Sequence, residues 1–302
     1  MLGNRTKNYL LLHLIVFIWG FTAILGALIT IDAIPLVFFR MGLAVIFIAI
    51  YFLFKKKSFY VDKRGLLKFL ITGIIIALHW IFFFKAVKVS NVSVALVTMS
   101  TGAFFTSLIE PIFFKRKIKL LEIILGLLVI AGLYIIFNFE SQYKLGIIYA
   151  LISSFLGSLF AVLNGLFIKK YNADSISLYQ LLFGTLFVTV YLFLNNSFSI
   201  SFFSLQKSDW IYLFVLSSIC TAYAFIVSVK VMKYLSPYTV MLTINLEPVY
   251  AIILALFIFG DKEKMNPEFY LGACIILGVV LINGIIKNKS IIKQKILQKV
   301  KK

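Results

Sequence analysis

The chain is short of the residues that soluble domains place on their surfaces and that enzymes use for chemistry. Only 14% of its 302 residues are charged, and only 11 are acidic. A soluble chain of this length needs far more charge to cover itself, which excludes an ordinary water-exposed globule. The two cysteines, Cys220 and Cys274, both fall inside apolar segments, which excludes a disulfide framework or a cysteine-based zinc site. The two histidines, His13 and His79, stand far apart, and there is no Cys-x-x-Cys, His-Glu-x-x-His or phosphate-binding glycine loop. GDKEK at 260–264 reads as a surface turn rather than a nucleotide site. The chain is therefore expected not to be an enzyme or an ATP-driven pump, and to use no cofactor and no metal.

Apolar sequence is what the chain has in abundance. Hydrophobic residues make up 62% of it, with 32 phenylalanines. They fall into successive runs of about 18 to 24 residues, the length that crosses a hydrocarbon core. Ten helices are expected near 9–31, 35–54, 67–88, 91–114, 119–138, 145–168, 175–194, 210–231, 237–260 and 268–286. The first is too long for a signal-peptide core and lacks a cleavage pattern, so it is expected to remain as a span. Connections are short, and the longest, 195–209, is a candidate for lying in the interface.

The net charge of +19 is distributed as short Lys/Arg runs at alternate ends of these segments, not as a nucleic-acid-binding face. With a cytoplasmic N-terminus, 23 of the 30 basic residues fall on the cytoplasmic side and six on the other, with Arg40 inside the second helix. The expected location is the cell inner (plasma) membrane, multi-pass, with both termini cytoplasmic. The tail from 287 carries Ile292, Ile296 and Val300 among lysines, and is read either as an amphipathic helix on an anionic leaflet or as a solvated, topology-setting end.

The two halves repeat one another. Gly126 and Gly132 of LGLLVIAG match Gly272 and Gly278 of LGACIILG, and Lys85 and Lys88 of KAVK match Lys230 and Lys233 of KVMK. Arg40 of FFRMGL falls opposite Gln180 of LYQLLF, and TAILG opposite FAVLN. Because five spans are an odd number, the second copy must enter the membrane upside down. The expected fold is an all-α membrane protein of ten transmembrane helices in two inverted five-helix repeats, residues 1–139 and 140–286, followed by a basic cytoplasmic tail, 287–302. Inverted repeats can exchange shapes and open a central site alternately to each side, which points to a carrier.

IWGFTAILG, FFRMGLA, HWIFFFKAVKVSNVSVALV, YLSPYTVMLTINLEPVYAIILALFIFGDK and LGACIILGVVLING together resemble the drug/metabolite transporter superfamily, of the kind with two EamA repeats. The resemblance implies a transporter. It also marks a departure: the family commonly has a proline midway along helix 4 and a Gly-Glu at its end. Here Thr101-Gly102 stands at the proline position and lysines lie near 115–117.

Ionisable and amide groups inside hydrocarbon are costly without a partner or water, so each is a candidate site. Glu247 lies roughly 15 Å into its helix from Pro237, near the midplane. Pro248 cannot donate to the carbonyl of Ile244, which leaves an acceptor beside the carboxylate. Glu247 is read as a binding carboxylate or as a structural lock. His79, followed by Trp80, is read as a proton or substrate acceptor or as a neutral ring bonded to a carbonyl. Trp19, Asn245, Thr98, Tyr223 and Asn164 complete the candidate substrate-binding set. Arg40, Gln180, Pro248, Gly102 and Glu110 are the candidate structural or gating residues. Arg40 is expected to snorkel, lock a helix or gate, and Glu110 to pair with Lys115, Arg116 or Lys117.

The expected function is a secondary transporter, an exporter, of small metabolites such as amino acids or related compounds by alternating access. The cavity is expected among helices 1, 3, 4, 6, 8 and 9. The alternatives are an intramembrane enzyme acting on lipid-linked substrates and a non-transporting membrane scaffold. Expected partners are a small-molecule metabolite and membrane lipids, with protons and a second copy of the chain (a homodimer) as further candidates, and no nucleic acid. The charge asymmetry predicts that a reporter fused after Lys302 is cytoplasmic and a tag at Ser201 external. A Ser201 tag reachable only from the cytoplasm would overturn both the helix count and the inversion.

Overall fold

A computed structural model describes residues 4–115, 117, 120–279, 281, 282 and 286. The expected basic tail lies outside the described residues. The described residues contain helices and turns but no strand, as hydrocarbon requires of a chain whose backbone groups must be satisfied within each segment. Eight helical segments are long and apolar enough to cross a membrane, and two shorter apolar helices accompany them.

The helices are α1 (Asn4–Leu28), α2 (Ala33–Phe54), α3 (Lys63–Val89), α4 (Val92–Met99), α5 (Gly102–Phe114), α6 (Leu120–Phe139) and α7 (Lys144–Phe167). They continue with α8 (Ala173–Leu194), α9 (Ile200–Phe203), α10 (Lys207–Ser217), α11 (Ala224–Val231), α12 (Pro237–Ile244) and α13 (Glu247–Phe259). The last is α14 (Pro267–Val279). Three of these eight segments are discontinuous, and the ten spans expected from the sequence are not all of spanning length. Val92–Phe114 is α4 and α5, broken at Ser100-Thr101; Pro237–Glu263 contains α12 and α13, broken at Asn245-Leu246. Lys207–Val231 is α10 and α11, joined by a π-helical turn at Ser218–Tyr223.

The breaks between α4 and α5 and between α12 and α13 share a pattern of tightened turns. Ser100 N and Thr101 N donate to the carbonyls of Val97 and Thr98; Asn245 N and Leu246 N donate to those of Leu242 and Thr243. Phe105 N to Thr101 O answers Tyr250 N to Leu246 O. Each span opens on a side-chain cap, Asn91 Oδ1 for Val94 N and Ser236 Oγ for Thr239 N. Each closes on a residue of positive φ, Lys115 at φ 53° and ψ 43° and Gly260 at φ 57° and ψ −126°. In the second half Pro248 supplies the break, since it has no N–H to offer Ile244. The first half has no proline there; the Thr101 hydroxyl bonds to the carbonyl of Thr98 at 2.8 Å and makes the same tightened turn.

Packing follows small residues. A Cβ on Gly73 of α3 would lie 2.5 Å from the carbonyl oxygen of Gln180, and one on Gly184 of α8 would lie 2.8 Å from the carbonyl of Gly73. The α3–α8 crossing is therefore backbone against backbone, the close approach small residues allow in membranes. The 195–209 connection, read as interfacial, folds as α9, with Phe202 stacked on Phe39 at 5.3 Å and packed beside Phe198 at 5.1 Å.

One end of the bundle is stitched by buried carboxylates. Asp209 accepts from Thr30 N at 2.9 Å and Thr30 Oγ1 at 2.6 Å. Glu263, only 4% exposed, accepts from Val92 N, Ser93 N and Ser93 Oγ at 2.9, 2.9 and 2.7 Å, satisfying the first amides of α4. Glu140 accepts from Asn266 N at 3.0 Å. The opposite end is held at its surface by Lys57 with Asp174 and by Asp62, which accepts from Lys170 at 2.9 Å and Tyr171 at 2.8 Å. Those two bonds hold the Asp62 carboxyl down at about 2.

The contrast between buried and exposed carboxylates is testable. Glu263→Ala strands the amides of α4 and is expected to cost about 2–4 kcal/mol, read as a lowered unfolding midpoint in detergent. Asp261→Ala removes only an exposed pair with Lys264 and is expected to leave that midpoint unchanged.

Candidate functional site

Both broken spans face a single cavity. Ser100 and Met99 reach it from the first break, and Asn245, Glu247 and Pro248 from the second. It extends toward the end of α11 and the start of α12, where Met232 and Val240 line it. Trp19, Trp80, Phe83, Phe160 and Phe225 form an aromatic wall.

Arg40 is the central charged group. It does not snorkel: it is 2% exposed and lines the cavity. Its guanidinium lies 4.0 Å above the Trp80 ring and 5.4 Å from that of Phe84, and its Nε donates to Thr221 Oγ1 at 2.7 Å. Nη1 is buried without a hydrogen-bond partner among the described residues. The acceptor exists because of the π turn, in which the Thr221 hydroxyl donates to the carbonyl of Leu216 five residues back at 2.6 Å. The same turn frees the Cys220 carbonyl to accept from Trp19 Nε1 at 3.0 Å. Such turns recur at functional sites because they re-aim side chains at the cost of one irregular turn. The second span was absent from the helices expected to line the cavity, and the π turn was not expected at all.

Glu247 opens α13, where a carboxylate is favoured by the helix dipole. Its side chain makes no hydrogen bond or ion pair among the described residues, and the Arg40 guanidinium is not within 4.0 Å of it. Asn245 is 5% exposed, with Nδ2 unpartnered. His79 Nδ1 lies 2.8 Å from the carbonyl of Ser153. A carbonyl only accepts, so Nδ1 carries the proton and Nε2 remains an acceptor with no protein partner. Ser153 Oγ, 2.9 Å from Nδ1, donates to the His79 carbonyl at 2.8 Å and fixes the ring. Gly157 leaves room for that ring, since a Cβ there would stand 3.0 Å from Cε1.

The remaining candidates lie elsewhere. Thr98 is wholly buried beneath the first break, its carbonyl used by Thr101. Gln180 donates to Thr72 Oγ1 at 2.8 Å and Asn164 Oδ1 at 2.6 Å, a buried cluster between α3, α7 and α8. Gly102 gives its carbonyl to Ser158 Oγ at 2.8 Å. Glu110 is buried in α5 outside the cavity lining, and Arg116, one of its expected partners, is outside the described residues. Tyr223, the last residue of the π turn, is 45% exposed and does not line the cavity.

A family model described as the EamA-like transporter family matches residues 6–138 and again 144–284. No curated protein matches the chain. Among 28 matching solved chains, one titled only "Crystal structure of protein" has a TM-score of 0.69 and 14% identity. It covers 94% of this chain and 99% of its own, a likeness of fold alone.

If Arg40 is seated by Thr221 and Trp80 together, the seat is cooperative. Arg40→Lys keeps the charge but loses the flat face and Nε, and Thr221→Val loses the acceptor; each is expected to cost about 1–3 kcal/mol. The double variant should cost less than the two singles added, measured by denaturant unfolding in detergent.

Proposed function

Because the chain belongs to the EamA-like transporter family, whose members are membrane transporters of small molecules, we propose that this cavity is the substrate site of a secondary carrier working by alternating access. One observation carries the reading. A single cavity, lined from both broken spans, holds an unpaired carboxylate in Glu247 and unpartnered donors in Arg40 Nη1 and Asn245 Nδ2. Unsatisfied polar groups at a helix break are where carriers place substrate contacts.

The proposed substrate is a small amphipathic metabolite such as an amino acid or related compound. Its amine meets Glu247, its acceptor group meets Arg40 Nη1 and Asn245 Nδ2, and its apolar part lies on Trp19, Phe160 and Phe225. The face of Trp80 is already covered by Arg40. The Nε2 of His79 is a proton acceptor on the same cavity, which supports proton coupling. The shared pattern of turns at the two breaks supports repeats at 1–139 and 140–286, inverted because each has five spans. The charge count supports cytoplasmic termini in the plasma membrane. On that topology the cavity extends toward the cytoplasm, the outer end is the one closed by Asp209 and Glu263, and the direction is export.

Comparing intracellular and extracellular metabolite pools in cells with and without the protein identifies the substrate. With that compound in liposomes, Glu247→Gln is expected to lower transport by about tenfold or more, the rate equivalent of about 1.4 kcal/mol. Glu110→Gln, outside the cavity, is expected to transport near the wild-type rate. Wild-type transport and pH dependence in Glu247→Gln would make Glu247 structural and this mechanism wrong.

A further inference from the structure

The end of the bundle where α2 stops and α3 starts carries cations that the fold does not use. The connecting loop is firmly held. Tyr179 donates to the carbonyl of Phe59 at 2.5 Å, the Phe59 ring packs 5.1 Å from Phe52, and Asp62 and Asp174 are engaged by Lys170 and Lys57. Lys55, Lys56, Lys63 and Arg64 are exposed, and their side chains make no hydrogen bond or ion pair among the described residues. Beside them Phe54, Tyr60 and Leu67 are 83%, 84% and 59% exposed.

The second half supplies an internal control. Lys55 and Lys56 cap α2 with the backbone bonds that Asn195 and Asn196 use to cap α8, and Lys56 sits at φ 48° where Asn196 sits at φ 50°. The left-handed region is tolerated by asparagine and disfavoured for lysine. Lys115, also exposed, is again left-handed, at φ 53° and ψ 43°, where its counterpart Gly260 has a different conformation, at φ 57° and ψ −126°. It is at this same end, because Lys169, next to the Asp62 partner Lys170, stands over the ring of Phe114. Lys56 thus occupies a backbone position where the other half of the chain has a residue better suited to the conformation.

We infer that this end is a pre-set binding surface for anionic phospholipid, with Lys55, Lys56, Lys63 and Arg64 on the phosphates and Phe54, Tyr60 and Leu67 among the acyl chains. Clustered cations next to a span attract anionic headgroups, and amphipathic aromatics settle at that depth. The site shares no residue with the substrate cavity, so its test is independent of the transport reading.

The full chain is placed in nanodiscs of phosphatidylcholine alone or with phosphatidylglycerol, and its unfolding midpoint measured. The wild type should melt higher with phosphatidylglycerol, and the rise should shrink in high salt. Lys55→Asn/Lys56→Asn, which installs the residues of the other half, should melt at or above the wild type in phosphatidylcholine. It should lose most of the phosphatidylglycerol-dependent rise, and native mass spectrometry should find fewer bound phosphatidylglycerols. A variant that keeps the full rise, a wild type that shows none, or an equal rise from soluble glycerol phosphate overturns the proposal.

Discussion

A helix broken inside hydrocarbon strands amides and carbonyls where no water can reach them, and the rest of this molecule is arranged around that constraint. The segments α4–α5 and α12–α13 both break, and both repair the break with tightened turns that need nothing from outside the chain. Ser100 at one break and Asn245 at the other line one cavity. The segment α10–α11 solves the same problem differently, widening to a π turn whose groups are taken up by Arg40 and Trp19.

Charge follows the same logic. Arg40, deep in the bundle, is tolerated because a ring face and a hydroxyl stand in for water. Glu247 has no such seat and is left facing the cavity, where a bound group or water must complete it. The carboxylates at the closed end differ from both: Asp209 and Glu263 are fully occupied by backbone and hydroxyl donors and hold helix ends together. An intramembrane carboxylate is thus informative by its partners rather than by its depth.

The repeat makes the two halves comparable, and their differences are as useful as their likeness. Arg40 and Gln180 occupy matching places in α2 and α8, yet one lines the cavity and the other is locked between Thr72 and Asn164. The tight Gly73–Gly184 crossing accompanies the locked side, and the π turn the open one. Proline breaks one span and a threonine hydroxyl the other, so equivalent shapes arise from unlike residues.

Much of the fold was legible in the sequence, because apolar run length and charge placement answer directly to the thickness and solvation of a bilayer. The helical segments and the break at Pro248 follow from such local rules, and Glu247, His79, Trp80 and Trp19, singled out by their polarity or aromaticity, line the cavity. The π turn, the break at Thr101, the exposure of Tyr223 and the seat of Arg40 do not follow from those rules. Thr221 is an unremarkable hydroxyl until Leu216, five residues back, accepts its proton and Arg40, from a span far away in the chain, donates to it. Sequence alone determined which segments are helical and which polar groups need partners, since those depend on composition along one helix. Only the tertiary structure decided which partner each group has, because pairing across helices depends on rotation about each axis, and one extra residue in a turn changes that rotation.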